Sequence, residues 1–147
     1  MAVDFLISDI QVLELGHIVA GPSAGLILAE MGADVIKIER PQGGDQSRAR
    51  PDQSIFMTFN RNKRSLAMDL KHPLGKEIFS ALLKTADVVL DNYAPGALER
   101  LGFAYEEISK INPRIIYCSL KGFLPGPNGD RPLLDEPAQI AAATFTK

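Results

Sequence analysis

A glycine-rich loop after the first apolar run is the first segment whose residue types could do chemistry. It reads GHIVAGPSAG over residues 16–25. A P-loop needs lysine and then serine or threonine directly after its second glycine, but Pro22 and Ser23 follow Gly21, so that phosphate-gripping ammonium is absent. The glycine spacing also departs from the dinucleotide fingerprint, although Glu39 ends the next apolar run, where an NAD ribose would need an acid. The loop indicates close backbone approach beside a helix N-terminus that favours an anionic or carbonyl oxygen.

Polar side chains follow several predicted strands, and their convergence is a second feature that points to a ligand. Ligands of open α/β sheets bind outside the carboxyl ends of the strands, where such loops meet. Several cations together with a tyrosine suit a polyphosphorylated, nucleotide-like ligand. The alternatives are ordinary charged surface loops and a structural loop histidine. The residues concerned are His17, Arg40, Asn92, Tyr93, Arg100 and Lys121.

Alternating apolar runs and helix signals predict the scaffold that must position these residues. Proline near the start and glycine just past the end predict a helix over residues 22–31, with Pro22 at its first position. Further helices are predicted from Pro73 onward and over residues 106–111. Strands are predicted over residues 12–15, 34–39, 65–70, 87–91 and 114–120. Strands that alternate with helices predict an α/β fold with a mainly parallel sheet covered on both faces.

Two segments interrupt this alternation. Residues 40–64 form a long connection with six basic and two acidic residues, a local charge of +4 that suits either a polyanion site or a solvated loop. Residues 122–137 contain four of the ten prolines, and the apolar run over residues 138–145 follows them. That run reaches Lys147 without a helix stop signal. We therefore expect a truncated chain, whose last apolar run needs a partner surface to stay soluble.

Composition restricts the class of protein. The 147 residues are 46% hydrophobic and 23% charged, typical of one soluble domain. A net charge of -2 argues against nucleic-acid binding, and Asp4 and Asp9 interrupt any N-terminal signal segment, so we expect neither a nucleic-acid nor a membrane partner. The single cysteine, Cys118, excludes an internal disulfide and a multi-thiolate zinc site, which predicts a cytoplasmic protein without a metal. Its place in a predicted strand predicts a buried thiol.

Five blocks of the sequence carry a resemblance to a known family. They are HIVAGP (17–22), GADVIKIERPQGGD (32–45), NRNKRSLAMDLKHPLGKE (60–77), DNYAPGALERLGF (91–103) and INPRIIYCSLKGF (111–123). In this order they resemble the class III coenzyme A (CoA) transferases, the family of formyl-CoA and carnitine-CoA transferases, which also contains α-methylacyl-CoA racemases. The resemblance implies a Rossmann-like large domain, a small domain further along a longer chain, and a homodimer of interlinked subunits. Residues 1–147 would then be the N-terminal, CoA-binding part of the large domain.

The same resemblance implies which residues contact CoA. His17, Ile18 and Ala20 would line the thioester end, and Arg40 would lie near the adenine. The remaining positions would hold the nucleotide, the phosphates and the pantetheine arm, although Met68 and Leu101 could equally be plain core residues. They are Met68, Lys71, Asn92, Tyr93, Arg100, Leu101 and Lys121.

The nucleophile that the resemblance implies is an aspartate, which attacks the acyl-CoA thioester and later carries CoA as an aspartyl thioester. Family spacing places it just beyond Lys147, so we expect no catalytic residue in this chain; Asp135 is the alternative. Racemases carry a histidine where Leu134 stands, and leucine cannot move a proton. Oxalate-handling members carry glutamine at the position of Val19, which argues against oxalate or formate as the acceptor.

The sequence therefore predicts an enzyme that transfers CoA from an acyl-CoA to a small carboxylic acid, with this fragment alone inactive. The alternatives are a CoA- or nucleotide-binding module without catalysis, and an acyl-CoA racemase.

Overall fold

Five parallel strands form one sheet in the described part of the chain. The computed structural model describes residues 5–49, 51–123 and 126–133. The strand order is β3-β2-β1-β4-β5, and every neighbouring pair is parallel. This is the Rossmann order, in which the connections change direction between β1 and β4. The predicted α/β fold with a parallel sheet is confirmed. The strands are β1 (Gln11–Leu15), β2 (Asp34–Glu39), β3 (Arg64–Ala67), β4 (Val88–Asp91) and β5 (Ile116–Ser119).

Helices cover both faces of the sheet, as predicted. Helix α1 packs on one face, and α3, α4 and α5 pack on the other. The helices are α1 (Ala20–Glu30), α2 (Ser54–Phe59), α3 (Pro73–Leu83), α4 (Ala97–Leu101) and α5 (Tyr105–Ile111).

Helix α1 corrects one predicted boundary. It begins at Ala20, so Pro22 is its third residue and not its first. Proline is tolerated there because the N–H groups of the first turn have no partner inside the helix. Gly32 follows the helix with a φ of 106°, a left-handed conformation that suits glycine.

Strand alternation divides the buried side chains into two apolar clusters. On the α3 face, Leu13, Ile36 and Val89 pack against Phe79 and other helical side chains. On the α1 face, a smaller cluster contains Val12, Val35, Leu90 and two alanines. The smaller cluster leaves room on its face for the buried charges described below.

The connection from β2 to β3 is ordered and contains a 3-10 turn (Gln46–Ala49) and helix α2. Its basic side chains are largely used within the protein. Arg48 pairs with Glu39, Arg61 with Glu30, Lys63 with Glu14 and Arg64 with Asp34. The local charge of +4 therefore does not make this whole connection a polyanion site.

Cys118 corrects another prediction, because its thiol is exposed. It lies in β5, an edge strand, and residues 118–120 are all exposed. In the described ranges no helix is long and apolar enough to span a membrane. The Asp135 alternative, the racemase argument at Leu134 and the apolar run over 138–145 lie outside the described residues.

Candidate functional site

A groove runs along the carboxyl ends of β1, β2, β3 and β4. It consists of a larger hollow of about 500 Å³ and a smaller one of about 170 Å³. The two share Ile38, Glu39, Arg40 and Tyr93, so they form one continuous feature, called the carboxyl-edge groove below. The larger hollow is also lined by Pro41, Gln42, Met68, Asp69, Leu70, Lys71 and Leu101. The smaller hollow is also lined by Gly16, His17, Gly44, Asp45 and Gln46.

The carboxyl-edge groove brings together six of the eleven residues that the resemblance implies. They come from four strand ends and from α4, and they are His17, Arg40, Met68, Lys71, Tyr93 and Leu101. The other five do not line either hollow within the described part of the chain. They are Ile18, Ala20, Asn92, Arg100 and Lys121.

Met68 and Leu101 belong to the core and also line the groove. Met68 is 7% exposed and belongs to the large apolar cluster, and half-buried Leu101 packs against that cluster. Both also line the larger hollow. They are core residues that form an apolar wall of the groove.

The side chain of Asn92 holds the backbone of the loop that follows β1. Its Oδ1 accepts from the His17 N–H at 2.8 Å, and its Nδ2 donates to the His17 carbonyl at 2.9 Å. A Cβ on Gly21 would lie 3.1 Å from Asn92 Oδ1 and 2.8 Å from the Gly16 Cα, closer than side chains pack. The glycines therefore allow the close approach that the sequence indicates. Asn92 positions the loop, and both polar atoms of its side chain are engaged in doing so.

A buried ammonium holds the same loop from β2. Lys37 Nζ donates to the Gly16 carbonyl at 2.7 Å and to Glu14 Oε1 at 2.9 Å, and it lies 2.9 Å from Asp45 Oδ2. In turn, Asp45 Oδ1 accepts from the Ile18 N–H at 3.1 Å. Buried charges need such partners because removal from water is costly.

Lys63 completes this network beneath α1. Its Nζ lies 2.6 Å from Glu14 Oε2 and donates to the Pro22 carbonyl at 2.7 Å. Burial lowers the pKa of Lys63, an effect that the Glu14 carboxylate opposes. A Cβ on Gly25 would collide with that carboxylate, so the glycine lets α1 lie directly over the buried pair.

Glu39 forms a second buried cluster at the end of β2. Its two oxygens accept from both Arg48 Nε and Nη2 at 2.7 Å, from Ser65 Oγ at 2.6 Å and from the Asp45 N–H at 2.9 Å. The Arg48 guanidinium also lies 3.6 Å from the Phe56 ring centroid. Burial raises the pKa of Glu39, but the hydrogen bonds outweigh it and lower the pKa to about 2. No oxygen of Glu39 is left for a ribose, so the dinucleotide interpretation loses its acidic residue.

His17 and Tyr93 both line the smaller hollow, and their rings are in tilted contact, with centroids 5.5 Å apart. Burial lowers the pKa of His17, and the cations Lys37 and Arg40 lower it further, against the opposing effect of Asp45. Burial also raises the pKa of Tyr93. Both rings are therefore neutral at neutral pH, which suits contact with the uncharged part of a ligand.

Lys121 and Arg100 lie outside the lining of both hollows. Lys121 Nζ donates to buried Asp91 Oδ1 at 2.7 Å and to the Tyr93 carbonyl at 2.8 Å, which leaves one donor for a ligand. Arg100 is exposed at the end of α4, and its guanidinium lies over Gly96.

Sequence reasoning missed most of the polar groups that support or line the groove. The signal available was the presence of charges inside strands that are otherwise buried, followed by the GGD segment directly after β2. The residues missed are Glu14, Lys37, Gln42, Asp45, Gln46, Lys63 and Asp69. The groove provides two cations, an apolar wall and a loop whose backbone is fixed. Among the described residues, no group of His, Cys, Asp or Glu is placed to hold a metal ion.

The sequence of this chain matches a family model and curated proteins along most of its length. The chain matches the model of CoA-transferase family III over residues 7–146. It is 44% identical over 144 residues to formyl-CoA:oxalate CoA-transferase of Afipia carboxidovorans, covering 94% of this chain and 34% of that protein. It is likewise 44% identical over 139 residues to the enzyme of that name from Rhodopseudomonas palustris strain TIE-1, covering 90% and 33%. The chain spans about a third of the length of these curated relatives.

Solved structures give the same fold. Hypothetical protein Rv3272 from Mycobacterium tuberculosis superposes with a TM-score of 0.90 at 36% identity, over 98% of this chain and 41% of that one. A CAIB/BAIF family protein from Brucella suis gives 0.87 at 37% identity, over 94% and 39%. These matches confirm the resemblance carried by the sequence blocks. The chain belongs to CoA-transferase family III.

Proposed function

We propose that this chain is the N-terminal, CoA-binding part of an enzyme that transfers CoA from an acyl-CoA to a small carboxylic acid. One observation carries the proposal. Arg40, Lys71 and Tyr93 follow three different strands, and all three line the carboxyl-edge groove. Exposed cations beside an aromatic ring and an apolar wall suit a nucleotide that carries several phosphates.

The two ends of the groove are lined by different residues, so an asymmetric ligand would bind in one orientation. The larger hollow contains Lys71 and Asp69, and Arg40 is shared with the smaller hollow. The smaller hollow ends at the neutral His17 ring and the fixed backbone of residues 16–18. We place the adenosine and phosphates of CoA in the larger hollow and direct the pantetheine arm and thioester toward His17, Ile18 and Ala20. Arg100 and Lys121 extend the cationic margin.

The proposed reaction uses an aspartate that lies beyond Lys147. Its carboxylate attacks the acyl carbonyl and releases the CoA thiolate, which leaves a mixed anhydride. The thiolate then attacks the aspartyl carbonyl, releases the donor acid and forms the aspartyl thioester. The acceptor carboxylate attacks this thioester and releases the thiolate, which leaves a second mixed anhydride. The thiolate then attacks the acyl carbonyl of the acceptor, forms the new acyl-CoA and frees the aspartate carboxylate. Residues 1–147 alone would then bind CoA without turnover.

The wider assignments follow from the same proposal. The complete protein would add a small domain, form an interlinked homodimer and act in the cytoplasm on an acyl-CoA and a small acid, with CoA as a substrate and no metal. A CoA-binding module without catalysis is the second candidate, and it would describe the chain alone if the nucleophile lies beyond Lys147 as proposed.

Calorimetry with CoA, on the polypeptide encoded by the complete reading frame, tests the proposal. We expect salt-sensitive binding, and we expect Arg40→Ala and Lys71→Ala each to weaken it by about 1.5–3 kcal/mol, because each removes a charged partner of phosphate. The control is Lys84→Ala, an exposed lysine at the end of α3, just before the amino end of β4. Binding of NAD without binding of CoA would contradict the proposal.

A further inference from the structure

The backbone at Ile18 has an unusual conformation. Its φ is 64°, in the left-handed region that a β-branched residue rarely enters because its side chain crowds the backbone. Such strain persists only where the surroundings impose it, and it concentrates at sites that bind or react. The turn it makes separates His17, which lines the smaller hollow, from helix α1, which begins at Ala20.

Asp45 is the side chain that binds the Ile18 amide in this turn. Its Oδ1 accepts from the Ile18 N–H at 3.1 Å, from the Ser47 N–H at 2.8 Å and from Ser47 Oγ at 2.7 Å. Its Oδ2 lies 2.9 Å from Lys37 Nζ. Burial raises the pKa of Asp45, but Lys37 and Ser47 lower it to about 2, so the carboxylate stays charged.

Asp45 is therefore committed to the protein and has no oxygen to offer a ligand. Asp45 lines the smaller hollow, but only 4% of its surface is exposed. Lys37, which it pairs with, also donates to the Gly16 carbonyl at 2.7 Å. The Asp45–Lys37 pair thus fixes the backbone on both sides of His17.

We propose that Asp45 is a positioning residue, which holds Ile18 in its left-handed conformation and so presents residues 16–18 to the pantetheine and thioester part of an acyl-CoA. The inference rests on the proposed function for the identity of the ligand. Pre-organisation of this kind gives affinity because the loop loses no further freedom when the ligand binds.

The test compares two ligands on the complete polypeptide by calorimetry. CoA spans both ends of the groove, whereas adenosine 3′,5′-bisphosphate spans only the end that the phosphates occupy. For Asp45→Ala we expect affinity for CoA to fall by about tenfold, the equivalent of one charge-assisted hydrogen bond, and affinity for the bisphosphate to stay unchanged. Asp45→Asn keeps an oxygen that can accept from Ile18, so it should show the same selective loss at about threefold, because a neutral acceptor binds less strongly.

Two controls make the outcomes distinct. Ser47→Ala removes a partner of Asp45 without touching Ile18, and it should leave both affinities unchanged. Hydrogen exchange at the Ile18 amide gives a readout without ligand, and it should speed up in Asp45→Ala but not in Ser47→Ala. Parallel loss of both ligands, or unchanged exchange at Ile18, would overturn the positioning role. A wild-type protein that binds neither ligand would contradict the proposed function instead, and the exchange result alone would then decide whether Asp45 holds the loop.

Discussion

The two faces of the sheet share their strands but differ in chemistry. The face under α3, α4 and α5 is apolar, with Leu13, Ile36 and Phe79 fully or almost fully buried. In β1 and β2 the face under α1 is apolar only near the amino ends. It then becomes charged at Glu14 and Lys37, which pair with each other at 2.9 Å.

Because of this difference, the two faces have separate roles, one in the stability of the domain and the other in the positions of its loops. Apolar contacts stabilise in proportion to the area they bury and tolerate small shifts, whereas a buried ion pair is favourable only when its partners are correctly placed. The charged face is where the loops of the site are attached, through Lys37 to residue 16 and through Asp45 to residue 18. The apolar face accordingly holds the domain together, and the charged face sets the positions of its binding loops.

Truncating a fully buried ring on the apolar face should have the largest effect. Phe79 is fully buried, and its ring meets that of Phe103 edge-on at 4.7 Å. We expect Phe79→Ala to lower the free energy of unfolding by about 3–5 kcal/mol, measured by thermal or denaturant unfolding, because it leaves a cavity. The control is Leu74→Ala on the same helix, where the side chain is 56% exposed and the expected change is within about 0.5 kcal/mol. Equal losses for the two variants would show that this face does not dominate stability.

Removing one buried charge should have an intermediate effect that depends on pH. The pKa of Glu39 is lowered from 4.5 to about 2 in the folded protein. Its contribution to stability is therefore fully present above about pH 4.5 and lost as the pH falls toward 2. Glu39→Gln should lower the free energy of unfolding by about 1.5–3 kcal/mol at neutral pH and should reduce the loss of stability in acid.

The matched control for Glu39 is Asp34→Asn, in the same strand. Asp34 pairs with Arg64 in an exposed ion pair, which contributes no more than about 1 kcal/mol. Unfolding measured at neutral pH and in acid separates the two variants. An unchanged acid response in Glu39→Gln would mean that this carboxylate does not stabilise the charged face.

The smallest expected effect is on the protonation of His17. Burial lowers its pKa below 6.5, and the negative charge of Asp45 partly opposes this. Asp45→Asn should therefore lower the pKa of His17 further, because Lys37 and Arg40 then act without that opposing charge. An NMR titration of the imidazole measures the shift. A rise in the pKa would show that the charged network does not reach the groove.

The sequence predicts the apolar framework well because each strand and helix carries its own signal. The run DVIKIE in residues 34–39 predicts β2 with the bounds the structure has. The pairing of its charges could not be predicted in the same way. Lys37 meets Glu14 only because the register places them side by side, and it meets Asp45 only because the connection folds back over β2.

The residues of the site also differ in whether the sequence can predict them. Arg40, Lys71 and Tyr93 could be predicted because each follows a strand, and parallel strands bring their ends together. The role of Asp45 could not, because it depends on a backbone turn at Ile18 that no residue-type preference indicates. The sequence predicts that Asn92 contacts the ligand, but it does not indicate the two hydrogen bonds that the Asn92 side chain makes with the backbone of His17.

The two hydrogen bonds between the Asn92 side chain and the His17 backbone also set an order of assembly. Lys37 and Asp45 lie 21 and 27 residues from the backbone groups they hold, whereas Asn92 lies 75 residues from His17. Chains emerge from the ribosome N-terminus first, and contacts distant in sequence form late because a longer loop must close. We expect the nascent chain to attach its binding loop to β2 first and to finish the attachment only after β4 has joined β1. A chain released before β4 would keep the contacts of Lys37 and Asp45 with residues 16 and 18 but would lack the two hydrogen bonds of Asn92 that fix His17.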